Sequence, residues 1–264
     1  RNTAIREARG KYVTFLDSDD RLLPGALAGM YQLTVKYPGV DIVQGEVQLD
    51  KPAKWLGRYF NVSSAELPEC ITDRSTAKST ILFEMPVTAW AKLIRREFIT
   101  GNNLYYVEGM IHEDDMWDLC ASQYIECIAF YFTPVYYYNN YISNSIMGNP
   151  DKTRSFIARM RILQKAAEYF IKDSCRDYYD FILMRLELSN KVEIWGNIPD
   201  KPAAGKEIAA MKNFIDNTEC TPLRVAAWYY SLPLSISENR IVKNFYYRFF
   251  NRCRNKYSRK LIYE

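Results

Sequence analysis

The sequence holds one histidine, His112, in 264 residues. A zinc site built from several histidines is thereby excluded, and a histidine-dependent nucleophilic triad has a single place to stand. No CxxC pair occurs. Cys70, Cys120, Cys127, Cys175, Cys220 and Cys253 are widely spaced in a chain too long to depend on disulfide staples, so reduced, buried thiols are expected. No apolar run approaches the roughly 20 residues of a bilayer span; among the longest, Cys127 to Tyr138 is rich in tyrosine. Excess charge of one sign is also scarce. The 35 Lys and Arg stand against 31 Asp and Glu, and a net charge of +4 would not by itself hold the chain on nucleic acid. Neither a starting Met nor a charged and apolar leader precedes Arg1, so the chain is expected to begin mid-protein. What is present, 48% hydrophobic and 25% charged residues, is the composition of a packed protein, and the thiols point to a cytosolic-facing compartment.

Lys11 to Leu16 (KYVTFL) is a short β-rich run closed by Asp17, Ser18, Asp19 and Asp20, and Pro24 stands where a helix can open at its first turn. That helix would carry Leu27, Met30, Tyr31 and Leu33 to Tyr37 until Pro38-Gly39 stops it, after which Val40 to Leu49 resumes a strand pattern. Strand, helix, strand predicts an α/β sheet. Residues 51 to 74, with mixed charge, two prolines and weak periodicity, read as a long loop or flap. Ser75 to Glu84 looks helical, Ala89 to Ile94 extended, Glu113 to Tyr124 helical, and Ile125 to Asn139 a long aromatic strand. From Asp151 the spacing of Phe156, Met160, Leu163, Ala167 and Phe170 is helical, with further helices over Tyr178 to Ile194, Ala203 to Ile215 and Glu219 to Tyr230. Residues 1–148 are therefore expected to form an α/β part and residues 149–264 an all-helical region.

Two acidic clusters carry the chemistry. Asp17 and Asp19 sit where a strand's carboxyl end meets a loop, the usual place for ligands in open α/β sheets. Alternate carboxylates there suit a hard divalent cation and leave positions for phosphate oxygens and water; the competing structural role is an acidic turn in which Asp20 or Ser18 caps the next helix. An EF-hand is excluded, because Leu22 and Ala28 occupy the positions that need Gly and Glu. The second cluster, Glu113, Asp114 and Asp115, follows His112 at a helix start, where free N–H groups favour carboxylates. Its functional role would be a general base taking the proton of an attacking hydroxyl, and an Asp of ordinary pKa, about 3.9, is ionised at neutral pH. Jointly, a metal that neutralises a diphosphate leaving group and one carboxylate base suffice for an inverting displacement. A glycosidase would need an acid and a base or nucleophile flanking one bond, and no metal.

The stretch RNTAIREARGKYVTFLDSDDRLLPGAL closely resembles an element of the bacterial family 2 glycosyltransferases. AWAKLIRREFI and EGMIHEDDMW resemble that family's later W-x-K-L and E-D elements, and VYYYNNYISNSIM resembles the tyrosine-rich strand that ends its catalytic domain. All four occur in the family's order over residues 1 to about 147. The resemblance implies a GT-A sheet, Rossmann-like and truncated here, and an inverting sugar transfer from a nucleotide-diphosphate donor to a glycan or lipid-linked acceptor. It implies that Asp17 and Asp19 bind the donor and a divalent Mn or Mg, with Arg1 and Asn2 beside the nucleotide pocket. It further implies that Asp114, with Glu113, performs the catalysis, and that Trp90 stands near the acceptor. Ala4 replaces a frequent Gly, and Q-x-x-R-W, the mark of processive synthases, is absent. The family's opening strand and D-D-G-S-T-D segment are absent as well, so this 264-residue form is expected to bind sugar nucleotide weakly or not at all.

His112 is a secondary candidate for the acceptor side, its alternative being a hydrogen-bonded neighbour that orients the acids. Asn61-Val62-Ser63 is a chance glycosylation triplet in a cytosolic protein. Residues 240–264 interleave eight Lys and Arg with aromatics, which suits either peripheral contact with the anionic inner face of a membrane or the polar face of a packed helix. Nucleic acid is not an expected partner. Without strands ahead of Arg1, Tyr12 to Leu16 would be an open sheet edge available for self-association. The contrasting function is a non-catalytic helical interaction module, or one that binds anionic surfaces, on a degraded α/β fragment.

Overall fold

The computed structural model describes residues 1–51, 61, 67–140, 151, 153–170, 199–215 and, further on, 239–242, 244, 245, 248, 249 and 252. The chain divides into two compact units, Arg1–Gly109 with Glu113–Ser143, and Met110–His112 with Asn144–Glu264.

The first unit is built on a mixed sheet of six strands: β1 (Tyr12–Val13), β2 (Arg21–Leu22), β3 (Ile42–Leu49), β4 (Cys70–Ile71), β5 (Lys92–Arg95) and β6 (Ile128–Tyr138). The order is β1-β5-β3-β6-β2, with β4 also paired to β6. Among the described strand pairs, only β3 and β6 run parallel. β3 is central, and its run of apolar residues follows from burial on both faces: Ile42 and Val43 are fully buried. β2 and β4 share the remaining edge of β6, one at each end. β1 pairs with β5 on one side only among the described residues.

Helix α1 (Asn2–Glu7) precedes β1, and α2 (Ala26–Lys36) buries Ala26, Met30 and Leu33 against the sheet. Gly29 is required in α2 because a Cβ there would overlap the Tyr131 ring of β6. Gly45 lies at a break in the β3–β6 register, where a Cβ would overlap Val135. The buried carboxylate of Asp41 ties three strands. It accepts from the amides of Glu126 (2.9 Å) and Cys127 (3.0 Å) just before β6 and pairs with Arg95 at the end of β5.

Two expectations are corrected here. The helix after the acidic loop starts behind Gly25, with no side-chain cap, so neither Ser18 nor Asp20 caps it, and the two-residue β2 intervenes. The stretch 51–74 is not all loop, for β4 lies within it and Asp73 caps α3 (Arg74–Phe83), accepting from the Thr76 amide at 2.7 Å. A two-residue strand is too short to leave a period in sequence. A short α4 (Arg96–Gly101) follows β5, burying Phe98 and Ile99, and α5 (Glu113–Ala121) carries the second acidic cluster.

In the second unit, α6 (Thr153–Phe170) pairs with α7 (Lys201–Ile215). Phe156, Ala158, Met160 and Ile162 are buried along α6, and Arg161 meets Glu207 of α7 at 2.6 Å. The helices expected over Tyr178 to Ile194 and Glu219 to Tyr230 lie outside the described residues, as does most of the basic stretch 240–264. Among the described residues no helix is long and apolar enough to cross a membrane.

Candidate active site

β1 and the parallel bridge between Phe15 and Trp90 deliver the chain to the acidic loop at Asp17. The loop is closed by the Asp20 amide donating to the Asp17 carbonyl at 3.1 Å and is pinned to β6 through Tyr136. The Tyr136 hydroxyl accepts from the Asp17 amide (3.1 Å) and donates to Asp20 Oδ2 (2.7 Å), while the Asn139 amide donates to Asp20 Oδ1 (2.8 Å). Both Asp20 oxygens are therefore engaged inside the protein. Asp17 and Asp19 keep their carboxylates at the surface, the Asp17 side chain 41% exposed.

Arg1 connects this loop to the second cluster. Its guanidinium lies 3.3 Å from Asp17 Oδ1 and pairs with Glu113 Oε1. The Tyr106 ring supports it from below, 5.5 Å from guanidinium carbon to ring centre. Burial works against the Arg1 charge, and the carboxylates of Glu113, Asp17 and Asp114 more than offset it. Asn2 turns inward, where its amide donates to the Tyr106 carbonyl and its carbonyl accepts from the Tyr106 amide, each at 2.8 Å. Asn2 thus anchors the residue on which Arg1 rests.

Asp114, partly buried, is next to Glu113 in the first turn of α5. Burial, reinforced by the charges of Asp115 and Glu113 and opposed by Arg1, pushes its carboxyl up to about 7. The expectation of an ordinary Asp pKa is corrected: desolvation raises this group well above it.

Trp90 is 6% exposed and stacks with Tyr136 (centroids 4.6 Å apart) and Tyr138 (5.3 Å). It backs the tyrosines at the end of β6, behind the acidic loop, and has little open face of its own. His112 belongs to the second unit, its Nε2 lying 2.6 Å from Ser155 Oγ of α6. Sequence reasoning missed Tyr136 and Tyr106, which no local signal distinguishes among 21 tyrosines. It also missed the inward role of Asp20.

Among the described residues, no group of three or more His, Cys, Asp or Glu is gathered into a metal cage. Asp17 and Asp19 fit a hard divalent cation in another way. Two surface carboxylates leave most of the coordination shell to water and phosphate oxygens, the usual donor set for a cation carried on a diphosphate.

Residues 1–94 match the family model described as glycosyl transferase family 2. Over 211 residues the chain is 23% identical to YibD of Escherichia coli K12, described as an uncharacterized glycosyltransferase, covering 73% of this chain and 56% of YibD. It therefore spans little more than half the length of that relative. Two crystal structures of S. aureus TarS are similar in fold, both at a TM-score of 0.58. The structure of residues 1–349 is 15% identical and covers 99% of this chain and 68% of TarS 1–349; the other is 18% identical and covers 87% and 39%. Residues 1–94 thus carry the match to glycosyl transferase family 2, and the chain shares the α/β fold of the TarS structures.

Proposed function

We propose that this chain carries the metal-binding and base carboxylates of an inverting transferase that moves a sugar from a nucleotide-diphosphate donor to a hydroxyl of a glycan or lipid-linked acceptor. The observation that carries this reading is the Arg1 bridge, which brings Asp17 of the first acidic cluster to Glu113 of the second. Asp17 and Asp19 would hold a divalent cation, Mn or Mg, which supplies charge neutralisation to the departing diphosphate. Arg1, supported by Tyr106, adds a fixed positive charge beside the same oxygens. Asp114 accepts the proton of the attacking hydroxyl, and Glu113 holds Arg1 in place beside it. Trp90 orders the tyrosine strand that faces the acceptor. The work would be done at the inner face of the membrane, with residues 240–264 as its peripheral contact.

The test is Asp114→Asn in the full chain, assayed by nucleoside diphosphate release from a panel of sugar nucleotides with Mn. Donor binding should be unchanged, and transfer should fall by a factor on the order of 100 to 10,000, the usual worth of a positioned base. In the parent protein kcat/KM should rise with pH through about 7, following the Asp114 carboxyl. Collapse of donor affinity with turnover of bound substrate intact would move Asp114 to the donor site.

A further inference from the structure

Cys70 of β4 and Cys127, the residue just ahead of β6, hold their sulfurs 3.6 Å apart, both as free thiols. The contact follows from strand register. Cys70 pairs with Ala129, and Cys127, two residues before Ala129, stands on the same face. Both backbones are fixed by bonds of their own. The Cys127 amide donates to Asp41 Oδ2 at 3.0 Å and its carbonyl accepts from the Asp41 amide at 3.0 Å, while the Glu69 carbonyl beside Cys70 accepts from the Phe130 amide at 2.8 Å. The fold therefore presses the two thiols together, and rotation about their side-chain bonds brings the sulfurs to bonding distance. Both are half-buried, and β4 pairs with β6 alone among the described residues, so a small reagent reaches Cys70 from the sheet edge.

We propose that Cys70 and Cys127 are a dithiol–disulfide couple, a modification site in which Cys70 attacks a small-molecule disulfide and Cys127 resolves the adduct. The couple does not depend on the proposed sugar transfer. The Cys70 thiolate attacks one sulfur of a disulfide RSSR, forming a mixed disulfide and releasing RS⁻; the Cys127 thiolate then attacks the Cys70 sulfur and releases the second RS⁻. The two protons lost by the cysteines end on the released thiolates, so RSSR is reduced to two RSH and the cysteines are oxidised to one disulfide. Burial raises both thiols, Cys127 to about 12, and their mutual contact lowers Cys70 while raising Cys127 further, so Cys70 is the earlier thiolate. Glu69 opposes the Cys70 thiolate and Lys36 favours it; Asp41 opposes that of Cys127 and Arg95 favours it. Burial makes the pair slow to react. The new bond would close residues 70–127 into a covalent loop containing α3, β5, α4 and α5, and fasten the two-residue β4 to the sheet.

The experiment exposes the folded full chain to oxidised glutathione, alkylates the remaining thiols in denaturant and maps the peptides by mass. Two of the six thiols should disappear, and the peptides holding Cys70 and Cys127 should be recovered joined, two hydrogens lighter, and separated again by dithiothreitol. The oxidised chain should melt several degrees above the reduced one, as closing a long loop requires. Cys127→Ala should trap glutathione on Cys70, because no resolving thiol remains; Cys70→Ala should leave Cys127 unmodified, and neither variant should gain melting temperature with oxidant. Recovery of both cysteines as thiols, of glutathione adducts without a joined pair, or of either cysteine joined to a different one overturns the couple. An adduct on Cys127 in Cys70→Ala overturns the assignment of Cys70 as the attacking thiol. Should the variants fail to fold, the peptide map of the parent chain decides.

Discussion

The hydroxyl of Tyr136 and the carboxylate of Asp20 meet at 2.7 Å, joining residues 116 positions apart in sequence. This bond, with the Asp17 amide donating to the same hydroxyl, holds the first acidic loop against the end of β6. Tyr136→Phe removes both interactions from a fully buried site and should cost about 1–3 kcal/mol in denaturant unfolding. Because the loop then loses its anchor, Mn affinity measured by calorimetry should fall as well. Unchanged Mn affinity in a destabilised variant would show that the loop holds its shape by other contacts.

Asp19 has no hydrogen bond among the described residues and is exposed, so its replacement should leave stability close to that of the parent. Asp19→Ala should nonetheless abolish metal-dependent turnover, since one of two carboxylates available to the cation is lost. Full activity without a metal requirement would remove the cation from the proposed chemistry.

Asp114 also makes stability depend on pH. Its folded-state pKa, about 7, is raised from an ordinary 3.8. The unfolded chain therefore ionises first, and the contribution to stability present below about pH 4 is lost as pH rises through about 7. Asp114→Asn should thus melt higher than the parent above neutrality, with the difference vanishing toward about pH 4. A variant less stable than the parent at every pH would mean that the carboxylate makes stabilising bonds that outweigh its burial.

Among the described residues β1 is paired on one side only, and the side chains of Leu16, Leu27, Tyr31 and Val35 are exposed. Light scattering should show concentration-dependent self-association. A monomer at every concentration would mean that another segment of the chain covers this edge.

The strand, acidic loop and helix around Asp17, and the helix beginning at Glu113, were legible in the sequence because each rests on local features: an apolar run, a chain break at Pro38-Gly39, carboxylates at a helix start. The motif resemblance supplied the family for the same reason, as short ordered strings survive where pairwise identity is only 23%. What the sequence could not disclose depends on contacts across the chain. Of four neighbouring polar residues at 17–20, Asp20 turns inward only because Tyr136 and Asn139 await it. Arg1 becomes a bridge only when α5 places Glu113 112 residues away beside it. A carboxyl raised to about 7 at Asp114 and a lysine, Lys92, fully buried in the core follow from packing, through desolvation and the fields of remote side chains. Those quantities have no value until the chain has folded.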